Sequence, residues 1–236
     1  MVLRARVPHT ERMSPIETAQ AIYEEETQGE KSVSQLANAL EQRADKLAQQ
    51  DVATEQATMR DDVRTEIAGT LEGADSKDGA TEAKKLDEAA ADLRSSLGEH
   101  DPVMKDLPGD TAGQAQLQSS NMWVDAQAIR SGTGDRLINT EIAEDIGAHE
   151  ARHQEQSATA DAETITVKGK ELNATKLREF DAMEEQSSTD FLSAEYKAIR
   201  AEVGSVLSGS DRELIKNGQF RELERRHAGA DQALAA

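Results

Sequence analysis

Apolar residues recur every three or four positions over most of this chain, a pattern that predicts helices. Ser32-x-x-Gln35 is typical of a capping box and marks the start of a predicted helix. Three predicted helices over residues 32–98 carry these apolar positions: Val33, Leu36, Leu40, Ala44 and Leu47; Met59, Val63, Ile67 and Leu71; Leu86, Ala90, Leu93 and Leu97. A turn at Gly73–Gly79 separates the last two helices. We expect a coiled-coil-like helical hairpin array whose seams pack together or bind a protein partner.

The regions outside this array differ in composition. Residues 1–31 are polar and are expected to be disordered, apart from a short helix at Pro15–Glu26. The stretch 98–110 holds two of the four prolines and is the predicted boundary to a second domain at 111–209. Residues 210–236 are expected to form a C-terminal helix, broken by an Asn-Gly pair, and a tail.

One helix of the second domain carries two histidines on its apolar face. Residues 139–156 contain no proline, and Ile142, Ile146, His149 and His153 follow one another at steps of four, three and four. Asn139 or Thr140 is a suitable N-cap. Upstream, Met122–Ile129 fits either a strand that flanks this helix or another helix. The loop at Ser131–Gly134 lacks the lysine and the spacing of a phosphate-binding loop.

The rest of the second domain is predicted to contain a hairpin and two helices. Ile165 and Val167 alternate with polar residues around Gly169, which predicts a short hairpin over 163–172. A Glu-bearing helix follows at 174–186. The next predicted helix, capped by Thr189 or Asp190, carries Leu192, Tyr196, Ile199, Val203 and Val206. The sequence therefore predicts a mainly α (α+β) protein with a helical N-terminal region and a small second domain.

Composition and charge narrow the classes of partner. The net charge of −19 argues against nucleic acids and anionic membranes. Leu, Ile, Val and Phe make up only 41 of 236 residues, so a large globular core is not expected. No apolar run approaches the length of a membrane span, and no apolar signal segment follows the first residues. A cytoplasmic location is the default expectation, and export without a cleaved signal is also compatible with the sequence.

Residues 149–153 read His-Glu-Ala-Arg-His, an H-E-x-x-H motif. On a helix, His149 and His153 lie one turn apart on the same face and can share a tetrahedral Zn²⁺ ion. Glu150 lies beside the open position of the metal and can accept a proton from the water that the metal activates. With no cysteine in the chain, any zinc must be held by His and carboxylate side chains.

A catalytic zinc site with two histidines needs a third protein ligand. Thr159 stands where the extended metzincin pattern would have its third histidine, so that pattern is absent. We expect a carboxylate further along the chain instead. The sequence offers five candidates: Asp161, Glu163, Glu179, Glu184 and Glu185.

The motif and the following helix resemble the gluzincin clan of zinc metallopeptidases, in its minimal, soluble form. Glu179-Phe180-Asp181-Ala182 is similar to the Glu-Phe-Glu-Ala stretch of the membrane-embedded prenyl-protein and heat-shock zinc proteases, and the resemblance covers residues 139–186. It implies a zincin-like domain, Glu179 as the third ligand, and hydrolysis of a peptide or protein substrate with Glu150 as general base. Because gluzincins often use a Tyr or His to stabilise the oxyanion, it also makes Tyr196 a catalytic candidate.

Two other functions stay open on the sequence. The acidity and the helical hairpins also fit a non-enzymatic scaffold or adaptor with a vestigial H-E-x-x-H. Glu150-x-x-His153 and Glu224-x-x-His227 could instead be the paired motifs of a ferritin-like di-iron protein, with Glu179 or Glu184 as a further ligand.

Overall fold

The computed structural model describes residues 14–65, 77–131, 136–187, 194–207 and 209–234, and they form a mainly α (α+β) protein. This confirms the predicted fold class. The helices are α1 (Pro15–Thr27), α2 (Val33–Thr65), α3 (Lys77–Leu97), α4 (Thr140–Glu155), α5 (Ala174–Met183), α6 (Ala194–Gly204), α7 (Arg212–Lys216) and α8 (Phe220–Leu234). The strands are β1 (Lys31–Ser32), β2 (Val103–Lys105), β3 (Gly113–Ala115), β4 (Met122–Asp125), β5 (Thr164–Val167) and β6 (Lys170–Asn173).

The short helix within residues 1–31 forms and packs against the core. Ser14 and Glu17 make a capping box at the start of α1, as the sequence of this segment allows. Tyr23 is buried, and its hydroxyl donates to the carbonyl of Ala126 at 3.2 Å. The chain then enters β1, so the predicted disorder does not apply to the described part of this segment; residues 1–13 lie outside it.

Helices α2 and α3 form the predicted hairpin, but the array has two helices where the sequence predicts three. Arg94 of α3 contacts Asn38 and Glu41 of α2, and the other end of α3 approaches Asp51, so the two helices are antiparallel. The predicted break between Leu47 and Met59 is wrong. Residues 48–50, 52 and 53 are exposed, so this part of the helix has no apolar seam, yet the stretch contains neither Pro nor Gly to end the helix. Ile67, Leu71 and most of the predicted turn lie outside the described residues.

A small sheet with the strand order β1-β2-β4-β3 lies beside this hairpin. Strand β4 pairs with β2 in parallel and with β3 in antiparallel fashion. The sequence leaves residues 122–129 open between strand and helix, and the structure makes 122–125 a strand in the interior of the sheet. The edge beside the histidine-bearing helix is formed by β3, a three-residue strand that the sequence does not predict.

The C-terminal half follows the sequence prediction closely. Strands β5 and β6 form a hairpin whose two-residue turn places Lys168 and Gly169 at positive φ, as a type I′ turn requires. The final helical segment breaks at Asn217-Gly218 between α7 and α8. The predicted cap at Thr189 or Asp190, and Leu192, lie outside the described residues, as does most of the loop at Ser131–Gly134.

Two hydrophobic clusters organise the described residues. The first joins α1, α2, α3, β2, β4 and the first half of α4, and the second joins β5, β6 and α5 to α8. The predicted domain boundary at 98–110 therefore lies inside the first cluster, where it supplies β2. No helix in the described part of the chain is long and apolar enough to cross a membrane.

Candidate metal centre and cleft

Helix α4 begins in the first hydrophobic cluster, and both histidines lie further along it, on its second half. The side chain of Asn139 accepts a hydrogen bond from the Ile142 N–H at 3.2 Å and caps the start, as predicted. Ile146 is buried in the first cluster. One turn further along the same face, His149 and His153 are 4% and 9% exposed, so their imidazoles need polar partners.

Glu179 of α5 lies next to the two histidines, and the three side chains form a metal triangle, a group of three potential metal ligands. Nε2 of His149 lies 3.1 Å from Nε2 of His153, and the two nitrogens lie 3.4 and 3.5 Å from the carboxylate oxygens of Glu179. A tetrahedral zinc ion with bonds of about 2.0–2.1 Å separates its ligand atoms by about 3.3 Å. Among the described residues this is the one group of three metal-ligating side chains close enough to hold an ion.

Three of the other four carboxylates proposed as third ligand have different partners, and the fourth is exposed. Asp161 accepts the backbone N–H of Arg221, Glu184 pairs with Arg200, and Glu185 pairs with Arg212. Glu163 is exposed and does not join the cluster. The structure therefore brings together the two histidines and Glu179 and leaves the alternatives outside.

Electrostatics at the triangle favour a bound cation. Burial raises the pKa of Glu179, but the hydrogen bonds and charges of both histidines outweigh burial and lower it to about 2. Burial lowers the pKa of His149, while in His153 the contacts with Glu179 outweigh burial and raise the pKa. Oε2 of Glu179 is buried and faces Nε2 of His149 at 3.4 Å. A buried, ionised carboxylate that faces two imidazole nitrogens is an arrangement that a metal ion would stabilise.

A chain of buried polar groups behind His153 fixes the orientation of its ring. Nδ1 of His153 lies 2.9 Å from Oε1 of Gln156, so Nδ1–H is the donor of this contact and Nε2 is the nitrogen that faces Glu179 and is available to a metal ion. The amide of Gln156 donates to Asp181 at 2.9 Å. Asp181 is fully buried and accepts hydrogen bonds from both Arg152 and Arg212. The sequence pattern does not reveal this network, although Gln156 lies only three positions after His153, at the C-cap of the helix.

Glu150 lies between the metal triangle and strand β3. It is 6% exposed, and burial raises its pKa to about 7. A Cβ atom on Gly113 of β3 would lie 2.7 Å from both Cγ and Oε1 of Glu150. Glycine at this position therefore lets the strand approach the carboxylate closely.

Tyr196 stands beside His149, as expected for a residue of the site. The two rings stack with their centroids 5.8 Å apart. Burial, followed by the negative charges of Glu179 and Glu150, raises the pKa of Tyr196 to about 12, so its hydroxyl keeps its proton at neutral pH. Its position on α6 gives the site a hydrogen-bond donor of the kind that can stabilise an oxyanion.

Two cavities adjoin the triangle and together form a cleft along β3. One, of about 470 Å³, lies at the Asp110–Gly113 end, and the other, of about 280 Å³, lies at the Gly113–Leu117 end. The residues that line both cavities are Gly113, His149, Glu150 and Tyr196. The candidate catalytic groups thus lie at the centre of the cleft.

Strand β3 turns part of its backbone towards this cleft. The carbonyl of Ala112 accepts from Asp125, and the N–H of Gln116 donates to Asn121, so even-numbered residues bond to β4. In an antiparallel pair, the intervening peptide groups of Gly113 and Ala115 point away from β4. These groups are placed to pair with an extended peptide.

The second Glu-x-x-His motif does not join the cluster. Glu224 accepts the Thr166 N–H at 2.7 Å, and Nε2 of His227 lies 2.8 Å from Asp211. A di-iron site would require both motifs to contribute to one group of metal ligands. Within the described residues, they form no such group.

Comparison with known proteins does not identify the chain. No protein-family model, no curated protein and no solved structure matches it.

Proposed function

We propose that this protein is a zinc-dependent metallopeptidase of gluzincin type, with His149, His153 and Glu179 as the metal ligands. The observation that carries the proposal is the convergence of three side chains: the two imidazole nitrogens lie 3.1 Å apart, and each lies 3.4–3.5 Å from one oxygen of the Glu179 carboxylate, close to the spacing of ligands around a tetrahedral zinc ion. Three protein ligands leave the fourth corner open, as in catalytic zinc sites and unlike structural ones.

Zinc is the ion that suits this set of ligands best. Two neutral imidazoles and one carboxylate are the His₂Glu set of catalytic zinc sites. Mg²⁺ and Ca²⁺ prefer oxygen ligands and higher coordination numbers, so a site with two nitrogen donors disfavours them. When bound, zinc supplies a Lewis acid that polarises a carbonyl and lowers the pKa of water to about 7.

Glu150 is the proposed general base and then the proton donor to the leaving amine. It lines both cavities beside the metal triangle, and its pKa of about 7 lies near neutral pH, where a group can both accept and release a proton. Tyr196 keeps its proton at neutral pH and is the proposed donor to the developing oxyanion.

The substrate is proposed to be an extended peptide that adds a strand to the sheet at β3. The outward-facing peptide groups of Gly113 and Ala115 offer it backbone hydrogen bonds. Such pairing would align the peptide along the two cavities, with one peptide bond next to Glu150 and the metal triangle. Because the two cavities extend to either side of the metal triangle, a peptide can continue in both directions, which favours cleavage within a chain and hence a metalloendopeptidase.

Metal analysis of purified protein, combined with Glu150→Gln, tests the proposal. We expect one zinc ion per chain in both the wild type and the variant, because Glu150 is not a ligand. Casein, an unstructured protein, should be cleaved by the wild type, and the variant should lose about 10²–10⁴-fold in rate, as for loss of a general base. Chelation of zinc should abolish cleavage, and zinc alone should restore it.

Two results would contradict the proposal. One is the absence of bound metal at neutral pH when zinc is supplied. The other is cleavage by Glu150→Gln at the rate of the wild type, since it would mean that Glu150 moves no proton in the reaction.

A further inference from the structure

Arg178 is a basic residue at one end of the cleft. Among the described residues that line the two cavities it is the sole Lys or Arg, and it lines the cavity at the Gly113–Leu117 end. It lies on α5 immediately before Glu179. At the opposite end, the cavity is lined by the carboxylates of Asp110 and Glu195. The Gly113–Leu117 end therefore holds this arginine together with Glu150 and Glu179, whereas the charged side chains described at the other end are all acidic.

Arg178 is held in place without a carboxylate partner. Its Nη2 donates to the carbonyl of Ser157 at 2.8 Å, and its guanidinium lies 5.9 Å from the ring centroid of Phe220. Its Nε is buried without an acceptor among the described residues. Every other arginine whose side chain the structure describes pairs with an Asp or Glu. In a chain with 46 acidic residues, this exception at the candidate site points to a carboxylate from outside the chain.

The direction of β3 determines which part of a bound peptide meets Arg178. A peptide that pairs antiparallel with β3 has its N-terminal half over the Ala115–Leu117 end and its C-terminal half over the Asp110–Gly113 end. The metal triangle and Glu150 lie between the two ends. Arg178 would then face a residue on the N-terminal side of the scissile bond.

We propose that Arg178 is a specificity-determining residue that binds an Asp or Glu side chain of the substrate, N-terminal to the cleaved bond. This inference rests on the proposed peptidase function. The planar guanidinium can bind a carboxylate through two parallel hydrogen bonds, and its contacts with Ser157 and Phe220 orient it before the substrate arrives. Asp110 and Glu195 would repel the same acidic residue at the other end of the cleft, which fixes the register of the peptide.

Matched substrates separate recognition from a purely structural role. Starting from a peptide that the wild type cleaves, each position is set in turn to Glu or to its neutral isostere Gln, and kcat/KM is measured for both. For the wild type we expect about tenfold or greater preference for Glu, confined to positions N-terminal to the cleaved bond. Arg178→Met keeps an apolar stem against Phe220 and should bring the Glu-to-Gln ratio to about one. Arg178→Glu should reverse the preference in favour of Lys.

A control and a second measurement keep the two proposals distinguishable. Arg225 is exposed and pairs with Glu222 outside the cleft, so Arg225→Met removes the same charge and should retain the Glu preference. If zinc-loaded wild type cleaves peptides with equal kcat/KM for Glu and Gln at every position, the role of Arg178 is contradicted while the peptidase stands. A variant Arg178→Met that lowers kcat/KM equally for both peptides would likewise reduce Arg178 to a structural residue.

If no peptide is cleaved, the peptidase proposal fails, and peptide binding then tests whether Arg178 binds a carboxylate. Zinc-loaded Glu150→Gln is then titrated with fluorescent alanine-rich hexapeptides that carry one Glu or one Gln. Tighter binding of the Glu peptide, lost in Arg178→Met, would support a carboxylate site in the cleft. Equal binding of the two peptides would overturn it.

Discussion

Nδ1 of His153 lies 2.9 Å from Oε1 of Gln156, and this contact joins the metal triangle to the buried centre of the C-terminal half. The amide of Gln156 continues to Asp181, which two arginines from different helices hold. The imidazole ring therefore cannot rotate or change tautomer without breaking a connected set of buried hydrogen bonds.

Substitution of Gln156 is expected to weaken zinc binding without removing a ligand. Gln156→Leu removes the acceptor for Nδ1–H of His153, so the ring loses its fixed orientation. Loss of such a partner typically costs about 10–100-fold in metal affinity, measurable by competition with a fluorescent zinc chelator. Gln42→Leu on the exposed face of α2 is the matched control and should bind zinc like the wild type. Equal affinity in the two variants would show that Gln156 does not position His153.

Asp181 is expected to matter for stability more than any surface carboxylate. Asp181→Asn removes the buried carboxylate that Arg152 and Arg212 share, and leaves Arg152, which is 9% exposed, with only the more exposed Glu155 and Glu185 as ionic partners. Breaking a buried pair in this way costs about 3–5 kcal/mol of the free energy of unfolding, measured by urea denaturation of the metal-free protein. Glu222→Gln breaks an exposed pair with Arg225 and should change it by less than about 1 kcal/mol. A comparable small effect for both variants would contradict the proposed importance of the network.

Gly113 is expected to be required for activity and not for metal binding. The methyl group of Gly113→Ala would lie within 2.7 Å of Glu150 and 2.8 Å of Ile146, so the carboxylate or the strand must move. A displacement of this size in a catalytic group can lower kcat about 10²-fold, while the three ligands keep their zinc. Gly209→Ala, where no atom lies within 4 Å, is the control. Wild-type kcat in Gly113→Ala would show that Glu150 tolerates the shift.

Glu150 is expected to lower the stability of the metal-free protein at high pH. Its pKa is raised from 4.5 to about 7, so the folded state binds its proton more tightly than the unfolded state does. The protonated carboxyl therefore stabilises the folded state fully below about pH 4.5, and this contribution is lost as the pH rises through 7. Gln stays neutral, so apo Glu150→Gln should be more stable than apo wild type at pH 8.5 by about 2–3 kcal/mol, and similar to it at pH 4. Thermal or urea unfolding in the presence of a chelator measures this, and equal free energies at pH 8.5 would contradict it.

Local signals in the sequence were sufficient to predict the helix that carries the two histidines and the hairpin that follows it. The Asn139 cap, the apolar steps through Ile146 and the turn at Gly169 each depend on residues close in sequence, and α4 and the hairpin follow them. The position of Glu179 was implied by a family resemblance, and no local pattern distinguished it from Glu184 or Glu185. Only the packing of α5 on α4 selects it.

Features that depend on contacts distant in sequence were not predictable. Strand β3 has three residues, and its pairing with β4, not its own composition, makes it a strand. Asp181 resembles any acidic residue on an amphipathic helix until Arg152 and Arg212 meet it in the fold. The absence of a partner for Arg178 is likewise visible only when its surroundings are known.

A crystal structure of the zinc-loaded protein, with anomalous data collected on both sides of the zinc edge, tests the central claim most directly. We predict one zinc peak per chain, about 2.0–2.2 Å from Nε2 of His149, Nε2 of His153 and a carboxylate oxygen of Glu179. Glu179→Gln should lose the peak or most of its occupancy. A zinc ion bound elsewhere, or no ion at this triangle with zinc in excess at neutral pH, would contradict the account.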